Sequence, residues 1–227
     1  ALVRGAFEYQ GQKCSAASRA YIPRALWVGG LRDSLVARVE SLSYGDVTDL
    51  SVFGGAVIDR RAWSRLSGVL TKAGDDSSLT VLAGGKADDS EGFFIDPTVI
   101  ESSDPHHDVM TQEFFGPILG VHVYDDWSEV LPLVDSSASY ALTGAVFSQD
   151  PYALAEASQA LRFTAGNFYV NDKPTGAVVG QQPFGGARAS GTNDKAGSVL
   201  NLLRWTSPRT IKTTLVPPTD HRYPHMG

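Results

Sequence analysis

The sequence predicts an α/β fold, an open and mostly parallel sheet flanked by helices. Short apolar runs typical of strands alternate with segments of helical periodicity along residues 2–172, and this alternation favours parallel strands joined by right-handed crossovers. A glycine-rich stretch follows at residues 173–197, and a β-branched segment follows at 207–218. The change in composition predicts that function lies in the glycine-rich stretch, which is too long to be a simple connection.

The first half of the chain supplies both types of element. Apolar residues such as Leu66 and Leu70 recur at helical spacing, and Gly11 and Pro23 mark the ends of a helix and a strand. In chain order the pattern predicts a helix, a strand, two helices and two strands, at residues 2–10, 19–23, 25–42, 60–74, 79–85 and 93–101.

The second half continues the alternation. Asp150 followed by Pro151 is typical of a helix start, because aspartate caps the free N–H groups and proline suits the first turn. Pro132 falls near the middle of another predicted helix. The pattern predicts a strand, a helix, a strand, a helix and a strand, at residues 118–125, 127–139, 142–149, 150–162 and 166–172.

Composition disfavours several classes of function. The 227 residues include 19 basic and 25 acidic side chains, with a formal charge of −6. No run of Lys and Arg is long enough to grip a phosphate backbone, so a nucleic acid is not an expected partner. No apolar stretch approaches the length of a membrane span, and the five histidines have no metal-ligand spacing.

The single cysteine, Cys14, has two interpretations. Cysteine is among the most frequently buried residue types, and most buried cysteines are inert. Cys14, however, lies between a predicted helix end and a predicted strand, among small residues that leave room for a substrate. One cysteine forms no internal disulfide, which fits a cytosolic or organelle-matrix setting.

Four motifs in order resemble those of the aldehyde dehydrogenase superfamily. They are the nucleophile segment GQKCSAASR, the segment QEFFGPIL about a hundred residues later, the late strand GNFYVND, and the glycine-rich QPFGGARASG after it. The resemblance is specific because the motifs keep their order over the whole chain. Within the superfamily, the sequence is most similar to members that oxidise L-glutamate γ-semialdehyde to L-glutamate in proline catabolism, and a different aldehyde dehydrogenase is the alternative.

The resemblance covers the C-terminal half of such an enzyme. It implies a catalytic, thiol-bearing domain at residues 1–206, an oligomerisation strand and tail at 207–227, and an N-terminal NAD-binding domain that this chain does not include. The general base and the oxyanion-binding residue belong to that other half, so this chain alone is expected to be inactive. Matrix localisation in mitochondria, or the cytoplasm in a bacterium, follows from the same resemblance.

The resemblance also implies the roles of individual residues. Cys14 attacks the aldehyde carbon as a thiolate and passes through a thiohemiacetal and a thioester, with NAD as the cofactor. Glu113 receives the hydroxyls of the nicotinamide ribose, and Phe115 packs beside it. The residues implied for the substrate are Ser15, Gly176, Ala177 and Phe184, where Gly176 and Ala177 offer backbone N–H groups to its carboxylate.

Other interpretations remain open at this point. Glu113 could be an ordinary solvated carboxylate, Phe115 a core residue, and the loop near Gly176 a structural turn. The exposed segment 207–218 could make the chain a binding or assembly module without catalysis, since an unpaired strand edge invites another chain. A cysteine hydrolase using Cys14 with a histidine is disfavoured, because the adjacent pair His106–His107 is typical of a solvated loop.

Overall fold

The chain forms ten strands and eight α-helices in the computed structural model, which describes residues 1–227. The strands are β1 (Arg19–Pro23), β2 (Leu79–Ala83), β3 (Ala87–Asp88), β4 (Phe94–Ile95), β5 (Thr98–Ser102), β6 (Ile118–Tyr124), β7 (Tyr140–Ala141), β8 (Thr143–Val146), β9 (Asn167–Val170) and β10 (Ala187–Arg188). The α-helices are α1 (Leu2–Phe7), α2 (Arg24–Leu26), α3 (Arg32–Glu40), α4 (Arg60–Asp75), α5 (Asp108–Thr111), α6 (Trp127–Ser136), α7 (Pro151–Ala160) and α8 (Val199–Leu202).

A four-stranded sheet with the order β1-β6-β5-β2 forms the centre of the fold. Strands β1 and β5 both run parallel to β6, with Arg19 opposite Gly120 and Thr98 opposite Ile118. Only β2 is antiparallel, at the edge next to β5. The predicted α/β class is therefore confirmed, with a largely parallel open sheet flanked by helices.

The central strand β6 is apolar on both faces because helices cover both faces of the sheet. Ile118 packs into the cluster on the side of α4, where Leu66 is fully buried. Leu119 and Val121 pack on the opposite side with Phe7 of α1. Neighbouring side chains of a strand point to opposite faces, which lets one strand supply both clusters.

A second, smaller layer holds the parallel pair β8 and β9, which pair with each other and with no other strand. Helix α7 begins as predicted, because Asp150 Oδ1 accepts a hydrogen bond of 2.9 Å from the backbone N–H of Tyr152 and Pro151 opens the first turn. Pro132 lies inside α6. Leu131, Ala157 and surrounding apolar residues bury the contact between the two helices.

The helix predicted over residues 25–42 is interrupted. A π-helical turn at Trp27–Leu31 separates α2 from α3, and Gly30 within it has φ 110°. Trp27 is buried there, and its indole N–H donates to Glu101 Oε2 at 3.1 Å. Wide turns of this kind bend a helix locally, so the sequence prediction was right about the element and missed its break.

The strand predicted at residues 207–218 is not formed in this chain. These residues are exposed and belong to no sheet, with Leu215 90% and Val216 85% exposed. A strand needs a hydrogen-bonded neighbour, and β-branched composition does not supply one, so a strand that pairs with a second chain stays a prediction. No helix in the structure is both long and apolar enough to cross a membrane.

Candidate active site

Cys14 lies on a tight turn that presents its side chain to solvent. The N–H of Ala16 donates to the carbonyl of Lys13 at 3.0 Å, which places Cys14 and Ser15 at the two central positions of the turn. The cysteine is free and exposed. An exposed sulfur meets the first requirement of the nucleophile interpretation, whereas a sealed core position would have excluded it.

The segment before the turn has an unusual backbone. Tyr9, Gln10 and Gly11 are three successive residues in the left-handed region, with φ of 56°, 55° and 62°. Residues other than glycine adopt this region at a cost, and they keep it only when their surroundings impose it. These three residues end the helical path of α1 before the exposed Cys14.

Gly11, three residues before Cys14, packs directly against Gly116 of the QEFFGP segment. A Cβ atom at Gly11 would lie 2.3 Å from the carbonyl oxygen of Gly116 and 2.9 Å from that of Ala6. Only glycine fits this approach, since its backbone is left-handed and the neighbouring atoms are themselves backbone. Two motifs separated by about a hundred residues in the sequence are thus in direct contact.

Glu113 and Phe115 are both exposed in this second segment. Glu113 Oε1 accepts the backbone N–H of Phe115 at 2.9 Å, while Oε2 has no partner within the chain. Phe115 has φ 50° and is 42% exposed, because its left-handed backbone turns the ring away from the core. An open carboxylate oxygen and an exposed aromatic ring two residues apart in the chain are group types that suit a ribose hydroxyl and a flat heterocycle.

Ser15 is more enclosed than the prediction required. It is 9% exposed, and its carbonyl oxygen accepts a hydrogen bond of 3.4 Å from the Thr143 hydroxyl at the start of β8. Its own hydroxyl makes no hydrogen bond within the chain. The hydrogen bond to Thr143 joins the Cys14 turn to the layer that contains β8. The hydroxyl of Ser15 remains available as a donor.

The predicted substrate loop contains two successive backbone N–H groups without an acceptor. Gly176 has φ 108°, and the backbone N–H groups of Gly176 and Ala177 donate to no acceptor within the chain. Gln182 Oε1 closes the loop by accepting the N–H of Val178 at 2.7 Å. Two successive free N–H groups in a glycine loop provide hydrogen-bond donors to a carboxylate.

Phe184 lies half-buried at the far end of this loop. Its N–H and carbonyl both pair with Ala196, at 2.9 Å and 2.8 Å. Gly185, the residue after Phe184, lies close to Gly166, since a Cβ at Gly166 would lie 1.8 Å from the Gly185 carbonyl oxygen. The ring is therefore carried on a braced backbone.

The loop begins beside the Cys14 segment. A Cβ at Gly5 of α1 would lie 3.2 Å from Pro174 Cδ, and Lys173 Nζ lies 3.4 Å from Glu8 Oε2. Glu8 also accepts from Lys13 Nζ at 3.0 Å. The structure thus brings the starts of the two predicted segments together, although 165 residues separate Glu8 from Lys173 along the chain.

Glu8 stays ionised in this setting. Partial burial raises the pKa of its carboxyl group, but the hydrogen bond and charge of Lys13, with those of Lys173, outweigh burial and lower the pKa overall. The sequence reasoning missed both Glu8 and Lys173. Charges five residues apart, or in distant segments, leave no periodic signal from which their pairing could be predicted.

His107, from the adjacent histidine pair, makes structural contacts with α4 and α5. His107 Nε2 lies 3.2 Å from Asp76 Oδ2, and its Nδ1 accepts the backbone N–H of Val109. The side chain therefore caps α5 and ties it to the end of α4. No group of three His, Cys, Asp or Glu side chains is arranged to hold a metal ion.

Comparison with known proteins agrees with the sequence motifs. A model of the aldehyde dehydrogenase family matches residues 1–211. The mitochondrial Delta-1-pyrroline-5-carboxylate dehydrogenase of Dictyostelium discoideum is 53% identical over 226 residues, which cover 99% of this chain and 40% of that protein. The chain therefore spans about two fifths of the length of this curated relative.

Solved structures give the same result. The crystal structure of the Delta-pyrroline-5-carboxylate dehydrogenase from Mycobacterium tuberculosis aligns with a TM-score of 0.86 and 56% identity, over 100% of this chain and 42% of that one. A structure of the same protein bound with NAD aligns with a TM-score of 0.85 and 56% identity, over 100% of this chain and 41% of that one.

Proposed function

Because this chain belongs to the aldehyde dehydrogenase family, we propose that it forms the thiol-bearing part of an NAD-dependent enzyme of proline catabolism. The enzyme oxidises L-glutamate γ-semialdehyde to L-glutamate. Relatives named Delta-1-pyrroline-5-carboxylate dehydrogenase support this substrate. The observation that carries the proposal is the exposed Cys14 turn, whose segment contacts Gly116 on one side and whose preceding helix α1 contacts Pro174 at the start of the loop.

Cys14 performs the covalent step. Its thiolate adds to the aldehyde carbon and gives a thiohemiacetal anion. Expulsion of hydride from this carbon, for which bound NAD+ would be the acceptor, re-forms the C=O bond as a thioester. Water then releases the acid and restores the thiol. Sulfur suits both steps because it is a strong nucleophile and a thioester is readily hydrolysed.

The loop at Gly176 and Ala177 orients the substrate from its other end. Their N–H groups, which have no acceptor within the chain, donate to the substrate carboxylate. Ser15 adds a hydroxyl next to the sulfur, and Phe184 covers the aliphatic stem. Holding both ends of a short chain places the aldehyde at the sulfur.

Glu113 and Phe115 hold the nicotinamide end of the cofactor. The unpartnered Oε2 of Glu113 accepts the ribose hydroxyls, and the exposed ring of Phe115 packs beside them. The residues present fit this group, since the acceptor is open and the aromatic face is accessible. When bound, NAD+ supplies the hydride acceptor.

The division of the chain follows from the same proposal. Residues 1–206 act as the catalytic domain, and residues 207–227 act as an oligomerisation strand and tail that pairs with a second copy. The exposure of Leu215 and Val216 supports this role, because apolar side chains on an unpaired segment favour association. Names of relatives that include the word mitochondrial support the mitochondrial matrix.

Replacement of Cys14 in the complete protein tests the proposal. Cys14→Ser is expected to lower NADH formation from glutamate γ-semialdehyde on the order of a thousandfold or more, since a serine hydroxyl is far less ionised than a thiol. The thermal unfolding midpoint should not change, because the side chain is exposed. Turnover close to that of the unsubstituted protein would refute the assignment of the nucleophile.

A further inference from the structure

Glu8 joins two lysines from distant parts of the chain. Its Oε2 lies 3.0 Å from Lys13 Nζ and 3.4 Å from Lys173 Nζ. The three side chains are only 30%, 34% and 24% exposed, in the order Glu8, Lys13 and Lys173. A shared, shielded carboxylate couples its partners more strongly than an isolated surface ion pair does.

The two lysines mark the two functional segments. Lys13 directly precedes Cys14, and Lys173 stands three residues before Gly176. Lys173 Nζ also donates to the Thr175 hydroxyl at 3.2 Å, and Thr175 is 2% exposed. A Cβ at Gly176 would lie 3.0 Å from the same nitrogen. The ammonium group therefore sits against the backbone of the loop that offers the free N–H groups.

The backbone around Glu8 restricts where its carboxylate can reach. Glu8 ends α1 with φ −57° and ψ 132°, and Tyr9 and Gln10 follow it in the left-handed region. Non-glycine residues in sparsely populated regions cluster at functional sites, where the surroundings impose them. The carboxylate that contacts both lysines is therefore carried on a backbone segment of restricted conformation.

The charges in this cluster leave one positive charge uncompensated. Lys13 and Lys173 contribute two, and Glu8 neutralises one. One remaining positive charge beside free N–H groups complements a single carboxylate. An uncharged aldehyde of equal length gains nothing from it.

We propose that Glu8 is a positioning residue that holds the loop at Gly176 at a set distance from the Cys14 turn, and that it thereby determines the preference for aldehydes that carry a carboxylate. The inference rests on the proposed function and deepens it. Glu8 acts through Lys173 and does not contact the aldehyde or the sulfur.

The test compares two aldehydes in the complete protein, glutamate γ-semialdehyde and pentanal, which has the same number of carbon atoms and no charge. Glu8→Gln keeps the shape of the side chain and removes its charge. It is expected to raise KM for the carboxylated aldehyde about tenfold, which is the effect of losing one good charge-assisted contact. KM for pentanal and kcat for both substrates should change less than about twofold, since the chemistry at sulfur is unaffected.

Three further variants separate positioning from charge. Lys173→Met should raise the same KM at least as much, and Glu8→Asp should restore part of the loss because it keeps the charge. Asp89→Asn removes a surface ion pair with Arg60 at 2.9 Å and serves as the matched control, with no expected change. If charge alone mattered, Glu8→Gln would lower KM by exposing a second ammonium group, and that result would overturn the positioning role.

Hydrogen exchange of a peptide covering residues 173–182 provides a measurement that needs no activity. Glu8→Gln should speed its exchange, and Asp89→Asn should not. If the unsubstituted protein oxidises neither aldehyde, the proposed function and the specificity role are both refuted. Hydrogen exchange then tests only whether Glu8 restrains the loop at residues 173–182. If it oxidises both and Glu8→Gln leaves the ratio of the two KM values unchanged, the specificity role is overturned while the proposed function stands.

Discussion

The contact between Gly11 and Gly116 can be tested with a single methyl group. Gly11→Ala would place a Cβ 2.3 Å from the Gly116 carbonyl oxygen and 2.9 Å from the Ala6 carbonyl oxygen. Both neighbours are backbone atoms, so no side chain can swing aside to make room. The substitution also forces alanine to adopt φ 62°.

Two costs and one gain determine the size of the effect. A residue with a Cβ in the left-handed region costs about 1–2 kcal/mol, and forcing an extra carbon into a packed site costs about 1–3 kcal/mol. Replacing glycine restricts the unfolded chain and returns about 0.4–1 kcal/mol. The expected net loss in the free energy of unfolding is therefore about 1–4.6 kcal/mol.

Urea and thermal unfolding of the complete protein measure this loss, with Gly68→Ala as the matched control. Gly68 lies in α4 with no atom within 4 Å of its Cβ position, so alanine there should stabilise the protein by about 0.5–1 kcal/mol. The same chemical change thus has opposite expected signs at the two positions. An unfolding midpoint for Gly11→Ala equal to or above that of Gly68→Ala would refute the argument.

Two further predictions concern the loop and the acid range. Gly176→Pro should raise KM for glutamate γ-semialdehyde more than it lowers kcat, because proline has no N–H and cannot adopt φ 108°. Steady-state kinetics of the complete protein measure both constants. An unchanged KM would show that the loop does not bind the carboxylate. The pKa of Glu8 is lowered from 4.5 in the folded protein, so its stabilising contribution is complete above pH 4.5 and is lost as the pH falls through the lower folded value. Glu8→Gln should therefore make the free energy of unfolding less dependent on pH below 4.5, which acid unfolding measures. If the free energy of unfolding of both proteins falls equally with pH, the ion pairs of Glu8 do not contribute to stability.

The elements that rest on local pattern were predicted well from the sequence. Helix α4 follows from apolar residues at helical spacing, and α7 follows from the Asp150 cap and Pro151. The strands of the central sheet are short apolar runs whose burial on both faces the sequence reveals directly. The π-helical turn at Trp27–Leu31 was missed because the apolar spacing on either side of it continues.

In the candidate site, too, the sequence predicted the features that rest on contiguous residues. Cys14, Glu113 and the loop at Gly176 were identified by motif, since each motif is contiguous in the chain. Their roles stay predictions, while the exposure of Cys14 and the free N–H groups of the loop are features of the structure. The strand predicted at residues 207–218 depended on a partner, and composition alone cannot supply that partner.

The sequence by itself determined the family motifs, the positions of most helices and strands, and the single residue able to act as a sulfur nucleophile. Tertiary structure decided that Gly11 meets Gly116 and that Glu8 pairs with both Lys13 and Lys173. The physical reason is range. Periodicity and capping act within one or two turns of chain, whereas these contacts join segments up to 165 residues apart and exist only after the sheet and its helices have packed.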